Sequence, residues 1–256
     1  NNTFDIIINC AAYTAVDKAE LEPELANQIN NLAVQQLANL AEQHQVKLIH
    51  ISTDYVFSGE LYRPYLETDE VAPHGVYGRT KLQGEQAIKK TLKNRAIIIR
   101  TSWVYSEYGN NFVKTMLKLG QERDSLNVIF DQVGTPTYAK DLAKAIMDIV
   151  KSQAFNQAGF QTNVVHFSNE GECSWYDFAK EIIGISKMSC QLNPIGAKDY
   201  PLAAKRPNYS ILSSKKVSEE YDVSIKHWKE ALKICLKNLA RFMSLGSSDI
   251  CFFKQL

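Results

Sequence analysis

The chain has 256 residues, of which 45% are hydrophobic and 22% are charged, and its 29 Lys and Arg residues offset 28 Asp and Glu residues to a formal net charge of +1. This length is sufficient for one large domain or for a domain with a smaller lobe, and the balanced charge excludes the strongly basic class of nucleic-acid-binding proteins. No apolar run approaches about 18 residues, the length that a membrane-spanning helix needs, so the sequence predicts no membrane segment.

Short apolar runs alternate with helical patterns from the start of the chain. Continuous apolar runs predict strands over residues 6–8, 47–51, 96–99, 126–130 and 164–167. Apolar residues at helical spacing predict helices over residues 23–44, 76–92, 111–123 and 140–151. This alternation predicts an α/β fold, a Rossmann-like doubly wound parallel sheet with helices on both faces.

The pattern loosens after about residue 168, where helical patterns over 175–185 and 225–242 flank an irregular stretch over 190–208. We therefore predict a dinucleotide-binding domain over residues 1–168, a smaller substrate-binding lobe over 169–245 and a tail over 246–256. Because ligands of parallel α/β sheets bind beyond the carboxyl ends of the strands, we expect the lobe to close over that edge.

The five cysteines are scattered and include no Cys-x-x-Cys pair: Cys10, Cys173, Cys190, Cys235 and Cys251. This distribution predicts reduced thiols and neither a disulfide framework nor a zinc site. We expect a cytoplasmic protein.

Polar residues suited to carbonyl chemistry follow the second predicted strand. Thr53 and Asp54 lie at its carboxyl end, and Tyr77 and Lys81 are four residues apart, so they share one face of the next predicted helix. A free phenol has a pKa of about 10, and a lysine ammonium one turn away would favour the phenolate and lower that pKa. The Thr53 hydroxyl can hold a substrate oxygen near the phenol. These residues predict reduction of a carbonyl with hydride from a nicotinamide.

The Tyr-x-x-x-Lys spacing is weak evidence by itself. Tyr176 and Lys180 repeat it in the later lobe, where no strand-end hydroxyl lies at a comparable distance upstream. We interpret Tyr176 as a residue that packs in an amphipathic helix.

Longer blocks resemble a known family: Ser-Thr-Asp-Tyr-Val-Phe at 52–57, Val-Tyr-Gly-Arg-Thr-Lys-Leu at 76–82 and Arg-Thr-Ser-Trp-Val-Tyr at 100–105. Together with the blocks at 11–20 and 109–116 and with Arg206-Pro207, they are similar to the dTDP-4-dehydrorhamnose reductases, extended short-chain dehydrogenases/reductases. The resemblance covers most of the chain.

The resemblance implies reduction of the C4 keto group of dTDP-4-dehydro-L-rhamnose by NADPH or NADH, giving dTDP-L-rhamnose. Tyr77 would donate the proton, Lys81 would orient the nicotinamide ribose, and Thr53 would complete the triad. The implied cofactor contacts are Ala12, Tyr13, Thr14, Tyr77 and Lys81. The implied substrate contacts are Thr53, Asp54, Trp103, Asn111, Gln132 and Arg206. The expected partner is a small nucleotide sugar, and a homodimer and a bound Mg²⁺ stay open.

One family feature is missing from the sequence, which contains neither a Gly-x-Gly-x-x-Gly nor a Gly-x-x-Gly-x-x-Gly turn for the cofactor pyrophosphate. The family places that turn upstream of the strand over 6–8. From the size of a βαβ unit, we expect about 50 residues to precede Asn1 in the complete protein.

Two alternatives stay open. The first is another nucleotide-sugar enzyme, an epimerase or a dehydratase; a dehydratase of this superfamily would carry Asp-Glu after the threonine, whereas Tyr55 follows Asp54 here. The second is a non-catalytic regulatory subunit with this fold, which the intact Thr53, Tyr77 and Lys81 disfavour.

Overall fold

The computed structural model describes residues 4–200 and 202–245. Its strands are β1 (Ile6–Asn9), β2 (Lys47–Thr53), β3 (Ala96–Thr101), β4 (Val104–Tyr105), β5 (Ser125–Ile129), β6 (Val133–Gly134), β7 (Thr137–Tyr138), β8 (Asn163–His166), β9 (Cys173–Ser174) and β10 (Gln191–Ile195). Its α-helices are α1 (Val16–Ala19), α2 (Pro23–Asn27), α3 (Ala33–Gln43), α4 (Val76–Thr91), α5 (Phe112–Glu122), α6 (Ala139–Lys151), α7 (Gln153–Asn156), α8 (Trp175–Ile185), α9 (Lys215–Tyr221) and α10 (Trp228–Leu245). The predicted tail over 246–256 lies outside the described residues.

Four parallel strands form the central sheet in the order β1-β2-β3-β8. Successive side chains of a strand point to opposite faces, so Leu48 packs with α3 and α4 while Ile49 packs with α6. Both faces are therefore covered by helices, which explains why these strands are continuous apolar runs. The predicted Rossmann-like, doubly wound parallel sheet is confirmed.

The first strand is more exposed than its apolar sequence predicts. Ile6 and Ile7 are half-buried, and Ile8 is 42% exposed. The physical reason is the position of β1, which pairs with β2 and stands at the edge of the sheet within the described part of the chain.

The strand predicted over 126–130 is present as β5, but it does not join the central sheet. It pairs in parallel with β10, which lies inside the stretch predicted to be irregular. A second apolar core joins α5, α8 and α10 through side chains such as Val113, Phe178 and Trp228. Residues on both sides of position 168 share this core, and the predicted division of the chain at that position stays a prediction.

None of the helices in residues 4–200 and 202–245 combines the length and apolar content needed to cross a bilayer. The cysteines within these residues, Cys10, Cys173, Cys190 and Cys235, are free thiols. Cys251 lies outside the described residues.

Candidate active site

The carboxyl end of β2 meets the first turn of α4 and brings Thr53 to Tyr77. The Thr53 hydroxyl lies close enough to Tyr77 to lower its pKa. This hydroxyl donates to Asp54 Oδ1 at 3.0 Å, and Thr53 is only 4% exposed. Gly78 permits this approach, because a Cβ at that position would lie 2.2 Å from the backbone oxygen of Tyr55. The Tyr55 ring packs edge-on against Tyr77, with centroids 5.4 Å apart.

The pKa of Tyr77 is raised in the structure, whereas the sequence predicted that Lys81 would lower it. Burial, reinforced by the Asp54 charge and opposed by the Thr53 hydroxyl, raises the pKa of Tyr77 to about 12. The Lys81 ammonium does not offset this rise, because it is directed at the backbone oxygen of Ile51, 2.6 Å away. Tyr77 is therefore a protonated phenol at neutral pH, which is the form that can donate a proton.

Lys81 lies one turn along α4 and is only 1% exposed. Burial lowers the pKa of Lys81 to about 8, and the charges of Glu85 and Cys10 act against this shift. Its Nζ also lies 3.4 Å from Nε2 of His50, a buried histidine in the middle of β2. The structure thus brings Thr53, Tyr77 and Lys81 to one place at the end of β2.

The segment after β1 carries the predicted cofactor contacts Ala12, Tyr13 and Thr14. Asn30, whose side chain is fully buried, holds this segment: its Oδ1 accepts from Tyr13 N at 2.9 Å, and its Nδ2 donates to Tyr13 O at 3.1 Å. Nδ2 also lies within 3.3 Å of Thr80 Oγ1 on α4. Asn30 was missed by the sequence reasoning, since one asparagine inside a helical pattern gives no distinguishing signal.

Asp54 is 2% exposed, and its Oδ2 has no hydrogen-bond partner within the described ranges. Burial raises the pKa of Asp54 to about 7, against the effect of the Thr53 and Ser210 hydroxyls. A buried oxygen without a partner is costly in a protein interior, so this atom is available to a ligand hydroxyl.

Trp103 has the left-handed backbone angle φ of 48°. Its ring stacks on Trp175 with centroids 3.5 Å apart, and a Cβ at Gly134 would lie 2.7 Å from it. The same Cβ would lie 2.8 Å from Ser210 Oγ, so Ser210 and Trp103 both lie next to Gly134. Because the Ser210 hydroxyl also acts on Asp54, Trp103 and Asp54 border the same region of the site. Trp175 was missed because its stacking partner lies far away in the sequence.

The remaining predicted substrate contacts have protein partners or a buried position. Asn111 caps α5, since its Oδ1 accepts from Lys114 N at 3.2 Å, while its Nδ2 donates to Ser106 O at 2.7 Å. Gln132 is buried directly before β6. Arg206 donates to both carboxylate oxygens of Asp17, at 3.0 and 2.5 Å. The substrate roles of these residues stay predictions.

The sequence matches the family model described as the RmlD substrate binding domain over residues 1–241. The dTDP-4-dehydrorhamnose reductase of Sinorhizobium fredii is 43% identical over 233 residues, which cover 90% of this chain and 78% of that relative. The chain belongs to the dTDP-4-dehydrorhamnose reductase family. The predicted resemblance is therefore confirmed.

Solved structures of this family agree with the fold. The dTDP-4-dehydrorhamnose reductase of Clostridium acetobutylicum has a TM-score of 0.86 and 41% identity, with 92% of this chain and 81% of that chain covered. The enzyme of Bacillus anthracis, solved in complex with NADP, has a TM-score of 0.85 and 39% identity, with 91% and 80% covered.

A second tyrosine and the acidic, histidine and cysteine side chains complete the description of the site. Tyr176, the second tyrosine with the Tyr-x-x-x-Lys spacing, packs against the apolar core of α5, α8 and α10, which confirms its interpretation as a packing residue. Within the described residues, no three His, Cys, Asp or Glu side chains lie close enough together to hold a metal ion.

Proposed function

We propose that this protein reduces the C4 keto group of dTDP-4-dehydro-L-rhamnose to dTDP-L-rhamnose with NADPH or NADH. The observation that carries the proposal is the placement of the Thr53 hydroxyl beside Tyr77, with Lys81 buried one turn away. Membership in the dTDP-4-dehydrorhamnose reductase family supports the substrate, and the NADP in the Bacillus anthracis relative supports the cofactor.

The cofactor, when bound, supplies a hydride to the carbonyl carbon. Tyr77 is a protonated phenol at neutral pH, and it donates its proton to the carbonyl oxygen. The Thr53 hydroxyl, placed beside Tyr77, holds that oxygen in position. The Lys81 ammonium favours the phenolate that proton donation leaves on Tyr77.

The residues after β1 fit the flat ring of a nicotinamide cofactor. Ala11 is exposed and Ala12 is half-buried, and these small side chains let a ring approach the carboxyl end of the sheet. We assign Ala12, Tyr13 and Thr14, together with Tyr77 and Lys81, to the cofactor.

The sugar nucleotide would contact the other side of the site. Asp54 offers the unpartnered Oδ2 to a sugar hydroxyl, and Trp103 offers its ring face. Arg206, oriented by Asp17, is suited to the diphosphate. Asn111 and Gln132 are assigned as weaker substrate contacts on the family resemblance.

The test is oxidation of NADPH in the presence of dTDP-4-dehydro-L-rhamnose, followed by the absorbance of the reduced nicotinamide. We expect Tyr77→Phe to lower kcat by about 10²- to 10⁴-fold, the usual contribution of a general acid. Tyr176→Phe is the matched control and should keep full activity.

Three outcomes would contradict the proposal. Full activity of Tyr77→Phe removes the assigned proton donor. Interconversion of sugars without net release of oxidised cofactor identifies an epimerase. A wild-type protein that oxidises no NADPH supports the regulatory subunit. A homodimer and a cytoplasmic location stay predictions.

A further inference from the structure

A chain of buried polar side chains, Asn9, His50 and Lys81, connects β1, β2 and α4. Asn9 Nδ2 lies 3.0 Å from His50 Nδ1, and His50 Nε2 lies 3.4 Å from Lys81 Nζ. The three residues are 6%, 0% and 1% exposed. Because they are shielded from solvent, their hydrogen-bonding requirements must be met by one another and by nearby backbone.

The orientation of the Asn9 amide fixes the tautomer of His50. The backbone N–H of Ala11 can only donate, and it lies 3.1 Å from Asn9 Oδ1, so this atom is the amide oxygen. The Asn9 NH₂ group therefore faces His50 Nδ1, which accepts. Burial holds the pKa of His50 well below its ordinary value, so the ring is neutral and carries its single proton on Nε2.

That Nε2–H points at Lys81. An ammonium group has three donors and no acceptor, whereas a neutral amine has a lone pair that can accept from Nε2–H. The bond from Lys81 Nζ to Ile51 O uses one hydrogen and is available to both forms. We propose that His50, with its tautomer fixed by Asn9, is a positioning residue that lowers the proton affinity of Lys81.

The other groups that face Lys81 act in known directions. Glu85, one turn along α4, and Cys10, after β1, favour its charged form, whereas burial favours its neutral form. Glu85 is itself bound by Arg100, and burial raises the pKa of the Cys10 thiol, so neither group supplies an unshared negative charge at neutral pH.

In this tautomer His50 offers the Lys81 ammonium no acceptor, so the charged form is disfavoured without being excluded. For Nε2 to accept from the ammonium, His50 would need its proton on Nδ1, and the Asn9 oxygen would have to turn toward His50 and leave the Ala11 N–H. The charge state of Lys81 is thereby coupled to the start of the segment that carries Ala12. The functional consequence, which rests on the proposed function, is a basic limb of kcat/KM at lower pH than an ordinary lysine gives.

The first test is the imidazole ¹⁵N NMR spectrum of the wild-type protein, with His50 assigned from a His50→Gln variant. We expect an unprotonated Nδ1 and a protonated Nε2 across the neutral pH range. Protonation of Nδ1, or titration of His50 in that range, overturns the proposal, and this measurement does not depend on any Asn9 variant folding.

The second test follows the titration of Lys81 by NMR, assigned from a Lys81→Met variant. In Asn9→Asp, a carboxylate accepts from both the Ala11 N–H and His50 Nδ1–H, so we expect the pKa of Lys81 to rise by about one unit or more. Asn9→Leu removes the amide that fixes the His50 tautomer and adds no charge, so it should raise the pKa of Lys81 by a smaller amount. A rise in Asn9→Asp with none in Asn9→Leu would be an effect of charge alone and would overturn the proposal.

His166→Gln is the control, because this buried histidine on β8 faces the backbone oxygen of Tyr65. It should leave the pKa of Lys81 unchanged. In Asn9→Leu, the basic limb of kcat/KM should move with the pKa of Lys81, whereas a purely structural defect would lower kcat/KM without moving the limb.

The two proposals can fail separately. The NMR measurements need no substrate, so expected shifts in a protein that does not reduce the sugar would refute the proposed function and support the role of His50. An active reductase whose Lys81 pKa does not respond to Asn9 would refute the role of His50.

Discussion

Replacing Glu85 by leucine removes one half of a buried ion pair behind the active site. Glu85 and Arg100 are 0% and 1% exposed. Arg100 donates to the carboxylate through Nε at 3.0 Å and Nη2 at 2.7 Å, and the Ser52 hydroxyl donates at 2.6 Å. The substitution leaves a guanidinium charge in the interior without its counter-ion.

Removing one partner of such a pair costs about 3–5 kcal/mol of unfolding free energy. In a chain of this size, 1 kcal/mol changes Tm by about 2–4 °C, so we expect Tm to fall by about 6–20 °C. The control is Asp148→Asn, which breaks an exposed pair with Lys144 at 2.6 Å on α6. Exposed pairs of this spacing contribute about 0.3–0.5 kcal/mol, so its Tm should fall by at most about 2 °C.

Scanning calorimetry gives Tm, and urea unfolding gives the free energy. The double variant Glu85→Leu/Arg100→Met should recover most of the loss, because an apolar pair of similar volume carries no unpaired charge. The reasoning is refuted if Glu85→Leu is as stable as Asp148→Asn, or if the double variant is no more stable than Glu85→Leu.

Three further predictions concern the site. Gly78→Ala places a Cβ 2.2 Å from Tyr55 O. It should therefore lower kcat and reduce the unfolding free energy by about 1–3 kcal/mol. Unchanged kinetics would show that the start of α4 can shift freely. Gly134→Ala places a Cβ 2.7 Å from Trp103, and it should raise KM for the sugar nucleotide more than it lowers kcat; an unchanged KM would separate Trp103 from the substrate. The pKa of Asp54 is about 7 in the folded protein, against about 3.9 in the unfolded chain. Between these pH values the folded state binds more protons than the unfolded state, so the contribution of Asp54 to stability falls as pH rises through this window. Urea unfolding of Asp54→Asn should lack this part of the pH dependence, and identical pH profiles for variant and wild type would contradict it.

The sequence determined the features that depend on local spacing. Alternating runs and stripes predicted the central strands and helices, because strand and helix periodicities are set by backbone geometry. The same geometry placed Tyr77 and Lys81 on one helix face and Thr53 at a strand end. The family resemblance was based on longer sequence blocks, two of which contain these positions.

Only the tertiary structure decided which partners these residues meet. Arg206 pairs with Asp17 across 189 positions, and Asn9 reaches His50 across 41. The pairing of β5 with β10, the stacking of Trp103 on Trp175 and the direction of the Lys81 ammonium also depend on how separate elements pack. Such contacts leave no periodic signal in the chain, because the register and packing of distant elements, and not local backbone geometry, bring these atoms together.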